Sequence, residues 1–337
     1  MRTLYSIQYL RAFAALAVVV FHAGERTGMP FTIGAAGVDI FFVVSGFIMM
    51  AISDASPTSP VAFFRNRLLR IAPAYWAATL LMIVGAVAGL FPNLKLEFAH
   101  ILGSFLFLPV ASPSTGDLWP VLVQGWTLNY EIFFYAIFAL VLFLKPGIRL
   151  AALAAIFGLL VAGGVLLEAE NPILGFYTAP VILEFVAGAA LAKLWQANRL
   201  PSPVIGAFLV VLSIAGFAAI QVFKLEFDAW SCGPLAFMLV MGALGVEASG
   251  KLPVSRMLTY LGDSSYSIYL WHTFAVSVIV KLGLMLSLAP PLTLAIAVVT
   301  GTLVGIAGYE LLEKPVQHLL KGRRPFASRR TAEHPVR

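Results

Sequence analysis

Long apolar segments separated by short polar connections run through most of the chain. About 20 residues of α-helix are needed to cross roughly 30 Å of hydrocarbon. Ten segments meet this requirement, near residues 6–24, 35–52, 73–91, 126–144, 149–167, 176–195, 203–222, 230–247, 264–285 and 290–312. An eleventh segment, 98–110, is shorter and ends at Pro109, so we interpret it as re-entrant or interfacial. The pattern predicts an all-α polytopic membrane protein with about ten transmembrane helices.

Composition and charge agree with this pattern. Hydrophobic residues make up 60% of the 337 positions and charged residues 11%, whereas soluble domains average about 25% charged residues. Ten spans with both termini cytoplasmic put 17 of the 22 Lys and Arg on the inner side, as the positive-inside rule requires. The four on the outer side are Arg26, Lys95, Lys224 and Lys281. The net charge of +6 is therefore a topology signal and gives no indication of nucleic-acid binding.

Two domains are expected from this topology. Residues 1–316 form the transmembrane domain, and residues 317–337 form a basic, disordered cytoplasmic tail. Five arginines follow Lys321 in this tail, and the tail shows no apolar periodicity. Such a segment is attracted to the anionic inner leaflet, so membrane lipids are expected partners.

Two ionisable residues interrupt the first apolar segment, which reads YLRAFAALAVVVFHAG. Ionisable residues inside a membrane are costly and are usually functional. Arg11 and His22 are eleven residues apart, which is about 16 Å along a helix and just over three turns. We therefore expect them on one helical stripe, Arg11 near the cytoplasmic face and His22 near the outer face. For each residue alone, snorkelling or an interfacial position is the simpler alternative.

Two carboxylates are predicted at the level of His22. Asp39 follows the start of the second span in GVDIFFVVSGF, and Glu131 lies about a turn and a half into the fourth in GWTLNYEIFFY. A carboxylate beside His22 would orient its ring and stabilise the imidazolium, as a general base requires. Asp39 has a second interpretation, in which its charge only interacts with the helix dipole.

The ninth span contains another histidine, His272, in DSSYSIYLWHTF. We interpret Asp263 and Ser264 as N-caps of this helix, which puts His272 about two turns into the span. His272 either lines the passage or is a neutral histidine hydrogen-bonded to a neighbour. We assign no role to the three remaining histidines, which are His100, His318 and His334.

Three arginines precede the third span in RNRLLRIAPAYW. Arg67 and Arg70 are three residues apart and share a face of a short predicted helix, and Pro73 suits the first turn of the following span. Such a pair fits phosphate groups. With Arg65, the pair also fits the positive charge expected of any inner loop, and both interpretations remain open.

Metal chemistry has no support in the sequence. Cys232 is the one cysteine, and no Cys/His cluster has the spacing of a metal site. Ser45 and Asn129 are candidate donors to an oxyanion, or polar residues that pack between helices.

Five motifs occurring in order resemble the acyltransferase-3 family of bacterial membrane acyltransferases. They are Arg11 with His22, GVDIFFVVSGF, RNRLLRIAPAYW, GWTLNYEIFFY and SYSIYLWH. The similarity covers about residues 5–316 and is greatest to the branch that acetylates exopolysaccharides. Thr127 stands where many members of the family have serine.

This resemblance implies a ten-helix enzyme of the bacterial inner membrane. It would move an acetyl group from cytoplasmic acetyl-CoA to a hydroxyl of an extracytoplasmic carbohydrate, and polysaccharide-assembly machinery is a further expected partner. It implies that Arg11 and His22 are an essential pair and that Arg67 and Arg70 are associated with the coenzyme. The expected site residues are catalytic His22, Arg11, Asp39 and Glu131, coenzyme-binding Arg65, Arg67 and Arg70, and substrate-binding Trp126, Asn129, Tyr130 and His272.

One other class of protein remains an alternative on sequence grounds. A transporter or flippase for a lipid-linked sugar would also need intramembrane charges along a polar path. It predicts inverted repeats, which the sequence does not show. Within the enzyme class, succinyl transfer or a glycolipid acceptor is also open.

Overall fold

The computed structural model describes residues 3–56, 58–167, 171–250 and 252–322. Within these ranges the secondary structure is helical, with thirteen α-helices and no strands. The α-helices are α1 (Tyr5–Thr27), α2 (Gly37–Ala55), α3 (Pro60–Val87), α4 (Phe98–Leu106), α5 (Gly125–Val141), α6 (Arg149–Leu166), α7 (Pro172–Tyr177), α8 (Leu183–Gln196), α9 (Pro203–Phe223), α10 (Ala229–Ala248), α11 (Arg256–Met285), α12 (Pro290–Gly308) and α13 (Lys314–Gly322).

The predicted fold class is confirmed. Nine helical segments in the described part of the chain are long and apolar enough to cross a membrane. The fourth predicted span corresponds to α5, which is apolar but slightly shorter at 17 residues. The apolar segment 98–110 contains only the nine-residue helix α4, which is about 14 Å long and too short to cross.

The start of the third span differs from the prediction. We expected a short helix to end before Pro73, but α3 is one helix of 28 residues with Pro73 inside it. Ser59 caps this helix by accepting a hydrogen bond from the Ala62 amide at 3.3 Å. Burial of Ile71 and Tyr75 on either side of Pro73 offsets the hydrogen bond that an interior proline removes.

The ninth span also begins earlier than predicted. Helix α11 starts at Arg256, where the Ser255 side chain accepts from the Leu258 amide at 3.3 Å. Asp263 and Ser264 are therefore interior residues and not N-caps. Asp263 instead accepts a hydrogen bond from Gln8 Nε2 at 2.9 Å, so it links α11 to α1. Residues that can cap a helix occur both at Ser255 and at Asp263 and Ser264. The sequence alone favoured the later position, which is wrong.

Helices α2 and α8 cross in backbone contact. A Cβ atom at Gly46 would lie 1.9 Å from the Phe185 carbonyl oxygen, and one at Gly188 would lie 1.9 Å from that of Val43. Small residues allow such close approach between membrane helices, where van der Waals packing drives association. The two glycines therefore fix how α2 presents Asp39 and Ser45 to the interior.

Three predicted inner-side residues meet at one end of the bundle. Asp54 at the end of α2 contacts Lys193 Nζ of α8 at 2.5 Å, and Arg149 Nη1 of α6 at 3.7 Å. These contacts agree with the predicted alternation of helix ends. The cytoplasmic orientation of this end remains a prediction.

The helix at the C-terminal side continues past the predicted domain boundary. Helix α12, a π-helical turn (Tyr309–Glu313) and α13 follow one another directly. The boundary at residue 316 falls inside α13, and the predicted tail from 323 onward lies outside the described residues.

Candidate active site

Two cavities lie along α1, one at Arg11 and one at His22. The His22 cavity, of about 370 Å³, is lined by Val18, Phe21, His22 and Arg26 of α1. The Arg11 cavity, of about 260 Å³, is lined by Arg11 of the same helix. Val38 and Tyr269 line both cavities, so the cavities adjoin at these two side chains. One helix therefore lines two cavities at different depths, and each cavity contains ionisable side chains.

A second histidine lies beside His22. The rings of His22 and His272 have their centroids 5.2 Å apart. His272 Nδ1 donates to the Ile268 carbonyl at 2.9 Å, since a carbonyl can only accept. His272 is fully buried, and its Nε2 has no hydrogen-bond partner among the described residues. His22 is half-buried, and its Nδ1 lies 3.9 Å from the Glu25 carboxylate.

Hydrogen-bond donors from three helices line another part of the His22 cavity. Arg26 Nη1 donates to the Thr273 carbonyl at 3.3 Å and to the Ser277 hydroxyl. Gln124, at the start of α5, donates through Nε2 to the Thr273 hydroxyl. All four of these residues line the cavity, so α11 fixes the donors of α1 and α5 in place.

Asp39 lines the His22 cavity. It is in the first turn of α2, and Glu184 is in the first turn of α8. Both groups are buried. Neither carboxylate oxygen of Glu184 has a hydrogen-bond partner among the described residues, and Glu184 lines neither cavity.

The Arg11 cavity is rich in arginine. Arg67 and Arg70 of α3 line it together with Arg11, whereas Arg65 is exposed and does not. Arg11 Nη1 donates to Gln8 Oε1 at 3.2 Å. Three acidic side chains lie near enough to attract the positive charge of Arg11, and they are Glu313, Asp263 and Glu131. The structure thus brings together the three arginines that suit an anion.

Glu131 belongs to this second cavity and is not beside His22. Its Oε1 accepts hydrogen bonds from the Ser45 hydroxyl at 3.2 Å and from the Tyr135 hydroxyl. All three residues line the Arg11 cavity. The sequence gives a depth along each helix but not its tilt or rotation, which is why Glu131 and His22 seemed to share a level.

The predicted substrate-binding residues separate into two groups. Trp126 lines the His22 cavity, and His272 lies against His22. Tyr130 is buried in an aromatic stack, with its ring centroid 3.9 Å from that of Phe176. Asn129 is also buried. Neither Tyr130 nor Asn129 lines the two cavities.

Several residues of the two cavities were missed by sequence reasoning. Arg26 follows His22 by four residues, the spacing of one helical face, but was counted only as an outer-side charge. Gln124 and Thr273 carry no sequence signal of their own. In the part of the chain that the structure describes, no group of three or more His, Cys, Asp and Glu side chains is arranged to hold a metal ion.

A bundle of apolar helices with two adjoining cavities, each lined by ionisable residues, defines a polytopic membrane protein. Residues 4–310 match the acyltransferase-3 family, which is described as an acyltransferase domain. The chain belongs to this family and is a membrane acyltransferase of the O-acetyltransferase class. The predicted resemblance is confirmed.

Curated relatives of two kinds match the chain. It is 50% identical over 309 residues to the exopolysaccharide production protein ExoZ of Rhizobium meliloti, covering 92% of this chain and 98% of ExoZ. It is 28% identical to the peptidoglycan O-acetyltransferase OatA of Listeria monocytogenes, covering 79% of this chain and 48% of OatA. It is 24% identical to O-acetyltransferase OatA of Staphylococcus aureus, covering 97% of this chain and 59% of OatA.

The chain thus spans about half the length of the OatA proteins and nearly all of ExoZ. No solved structure matches the chain.

Proposed function

We propose that this enzyme transfers an acetyl group from acetyl-CoA, bound at the Arg11 cavity, to a carbohydrate hydroxyl at the His22 cavity. One observation carries the proposal. Two cavities adjoin along α1, one with three arginines and the other with a histidine. An acyl-CoA has an anionic nucleotide at one end and a thioester at the other, so it fits a path with these two ends.

The donor end suits a nucleotide with several phosphates. Arg67 and Arg70 lie about one turn apart on α3 and line the same cavity as Arg11. Guanidinium groups form paired hydrogen bonds to phosphate oxygens, which a lysine cannot reproduce. The pantetheine arm is thin and uncharged and would pass between Val38 and Tyr269 into the His22 cavity.

The acceptor end suits a sugar. Trp126 gives the His22 cavity an aromatic face, and Asp39, Asp228 and Gln124 give it polar groups. Cavities of this kind combine apolar walls with a few polar groups that fix orientation. The names of ExoZ and OatA refer to an exopolysaccharide and to peptidoglycan, which supports a polysaccharide or its lipid-linked precursor as the acceptor.

His22 acts as the base in the proposed reaction. The acceptor oxygen attacks the thioester carbon while its proton passes to the imidazole, and a tetrahedral oxyanion forms. The carbon–sulfur bond then breaks, and the thiolate takes the proton from the imidazolium. A base in this position typically contributes a factor of about 10²–10⁴ to the rate.

Sidedness is part of the proposal. The positive-inside pattern puts the arginine end in the cytoplasm and the histidine end outside, in the bacterial inner membrane. A vesicle experiment tests this. Labelled acetyl-CoA is supplied on one side of proteoliposomes and polysaccharide on the other, with detergent-opened vesicles as the control for total activity.

The proposal predicts labelled polysaccharide when donor and acceptor are on opposite sides. It also predicts that acetyl-CoA must be on the side of the membrane where Asp54 contacts Lys193. A tag within residues 111–125, which are predicted on the opposite side, reports the orientation of the protein in the vesicle. Transfer only when both substrates share one side would contradict the transmembrane path.

A further inference from the structure

The His22 cavity contains a cation that the proposed reaction has not yet used. Arg26 follows His22 by four residues on α1, so both side chains lie on one face of the helix. Both line the cavity. Within the described part of the chain, no carboxylate lies within the 4.0 Å ion-pair distance of the Arg26 guanidinium. Its positive charge therefore has no ion-pair partner among these residues, and the neighbouring Glu25 carboxylate attracts it only from a longer distance.

The guanidinium is held in a fixed position. Nη1 donates to the Thr273 carbonyl at 3.3 Å and to the Ser277 hydroxyl. Arginine has five N–H groups, so these two bonds leave others to donate elsewhere. Because α11 holds the group, it needs little reorganisation when a charge develops nearby.

A second donor shares the same anchor. The Gln124 amide donates one N–H to the Thr273 hydroxyl, and its second N–H remains for another acceptor. Thr273 thus anchors Arg26 through its carbonyl and Gln124 through its hydroxyl. Two N–H donors from different helices are held on one wall of the cavity that contains His22.

We propose that Arg26 and Gln124 stabilise the oxyanion that forms when the acceptor hydroxyl attacks the thioester. This inference rests on the proposed function, because it takes His22 to be the base. In the attack the new carbon–oxygen bond forms, the hydroxyl proton moves to His22, and the carbonyl electron pair moves onto oxygen. The oxyanion collapses when the carbon–sulfur bond breaks and the thiolate regains the proton.

The proposed role of Arg26 sets the size of the expected loss in kcat. Removal of one oxyanion donor lowers kcat by a factor of about 10²–10³ in other acyl-transfer enzymes. Such a donor acts in the transition state, so its loss lowers kcat and leaves KM nearly unchanged. A group that binds an anionic acceptor or a lipid phosphate would instead change the acceptor KM or only the stability.

The experiment compares Arg26→Ala and Arg26→Lys with the wild-type protein in lipid, with acetyl-CoA as the donor. Lys95→Ala is the matched control, because Lys95 is an exposed cation on the same predicted side and lines neither cavity. Added guanidinium chloride at low concentration is the decisive probe. The cavity is open to it, since Arg26 is an exposed residue.

We expect Arg26→Ala to lose about 10²-fold in kcat with KM for acetyl-CoA within about twofold of wild type. Added guanidinium should restore part of the lost kcat of Arg26→Ala. The kcat of Arg26→Lys should lie between those of Arg26→Ala and wild type, and Lys95→Ala should match wild type. If Arg26→Ala does not fold, Gln124→Glu removes the second donor with little change of shape and should also lower kcat.

Three results would overturn the inference. They are unchanged kcat in folded Arg26→Ala, a change confined to the acceptor KM, and a folded variant that guanidinium fails to restore. His22→Ala in the same assay separates the two proposals. Full turnover in His22→Ala would contradict the proposed function itself, whereas an inactive His22→Ala beside a fully active Arg26→Ala would contradict only the role of Arg26.

Discussion

The rings of His22 and His272 lie 5.2 Å apart, centroid to centroid, on helices α1 and α11. Ile268 accepts the Nδ1 proton of His272, which leaves Nε2 as the acceptor of this ring. Nε2 is buried and has no other partner in the described residues. The ring of half-buried His22 therefore lies beside that of His272, whose tautomer is fixed by the helix backbone.

His272 is expected to position His22. Replacement by Leu should lower kcat by at least about tenfold, because His22 loses a polar neighbour that orients its ring. Gln carries an acceptor oxygen near the position of Nε2, so His272→Gln should recover part of this loss. Steady-state kinetics in lipid, with thermal unfolding as the control for folding, measures both variants. Equal kcat in the Leu and Gln variants would mean that His272 only fills space.

The affinity for CoA should depend on two of the three arginines at the start of α3. Arg67→Ala with Arg70→Ala is expected to weaken CoA binding by about 10-fold or more, since hydrogen bonds to charged groups contribute about 1.5–3 kcal/mol each. Arg65 is exposed and outside the cavity, so Arg65→Ala is the matched control. Isothermal titration with CoA gives the affinities. Equal affinity in all these variants would contradict the donor site.

Glu131 should affect the donor end rather than the chemical step. In Glu131→Gln the amide oxygen can still accept from Ser45 and Tyr135, but the negative charge near Arg11 is lost. The more positive cavity should bind CoA more tightly, by about two- to tenfold. Titration and kinetics in parallel measure this effect. Unchanged CoA affinity with turnover abolished would show that Glu131 takes part in acyl transfer.

The close crossing of α2 and α8 makes a stability prediction. Gly46→Ala or Gly188→Ala puts a methyl group 1.9 Å from a carbonyl oxygen of the facing helix. Backbone must shift, so we expect a loss of about 1–3 kcal/mol and a lower melting temperature in detergent. Gly158→Ala is the control, because nothing lies within 4 Å of its Cβ position. Equal melting temperatures in all three variants would contradict the observed helix contact.

Hydrophobic length and charge bias were enough to predict the all-α membrane fold. The positions of the nine long apolar helices in the described residues, and of the short helix α4, follow from these two signals. Helix starts were less predictable, because proline and the usual N-cap residues, such as serine and aspartate, also occur inside helices. Pro73 is inside α3, and Asp263 is inside α11. In both helices long-range packing outweighs the local preference.

The site was predictable along each helix but not between helices. The eleven-residue spacing of Arg11 and His22 predicted two depths on one helix, and the two cavities lie at those residues. The partners of His22 depend on how α1 and α11 pack, so the ring contact with His272 has no sequence signal. The same reason explains why Glu131 lies in the Arg11 cavity and why Arg26 was not recognised.

Turnover of acetyl-CoA by His22→Ala tests the central claim most directly. Purified protein in lipid is given labelled acetyl-CoA and polysaccharide, and CoA release and polysaccharide labelling are measured together. His318→Ala is the control, because His318 is an exposed histidine that lines neither cavity. We predict that His22→Ala loses at least about 10²-fold in kcat, still binds CoA, and that His318→Ala matches wild type. Equal turnover in wild type and folded His22→Ala would contradict the account.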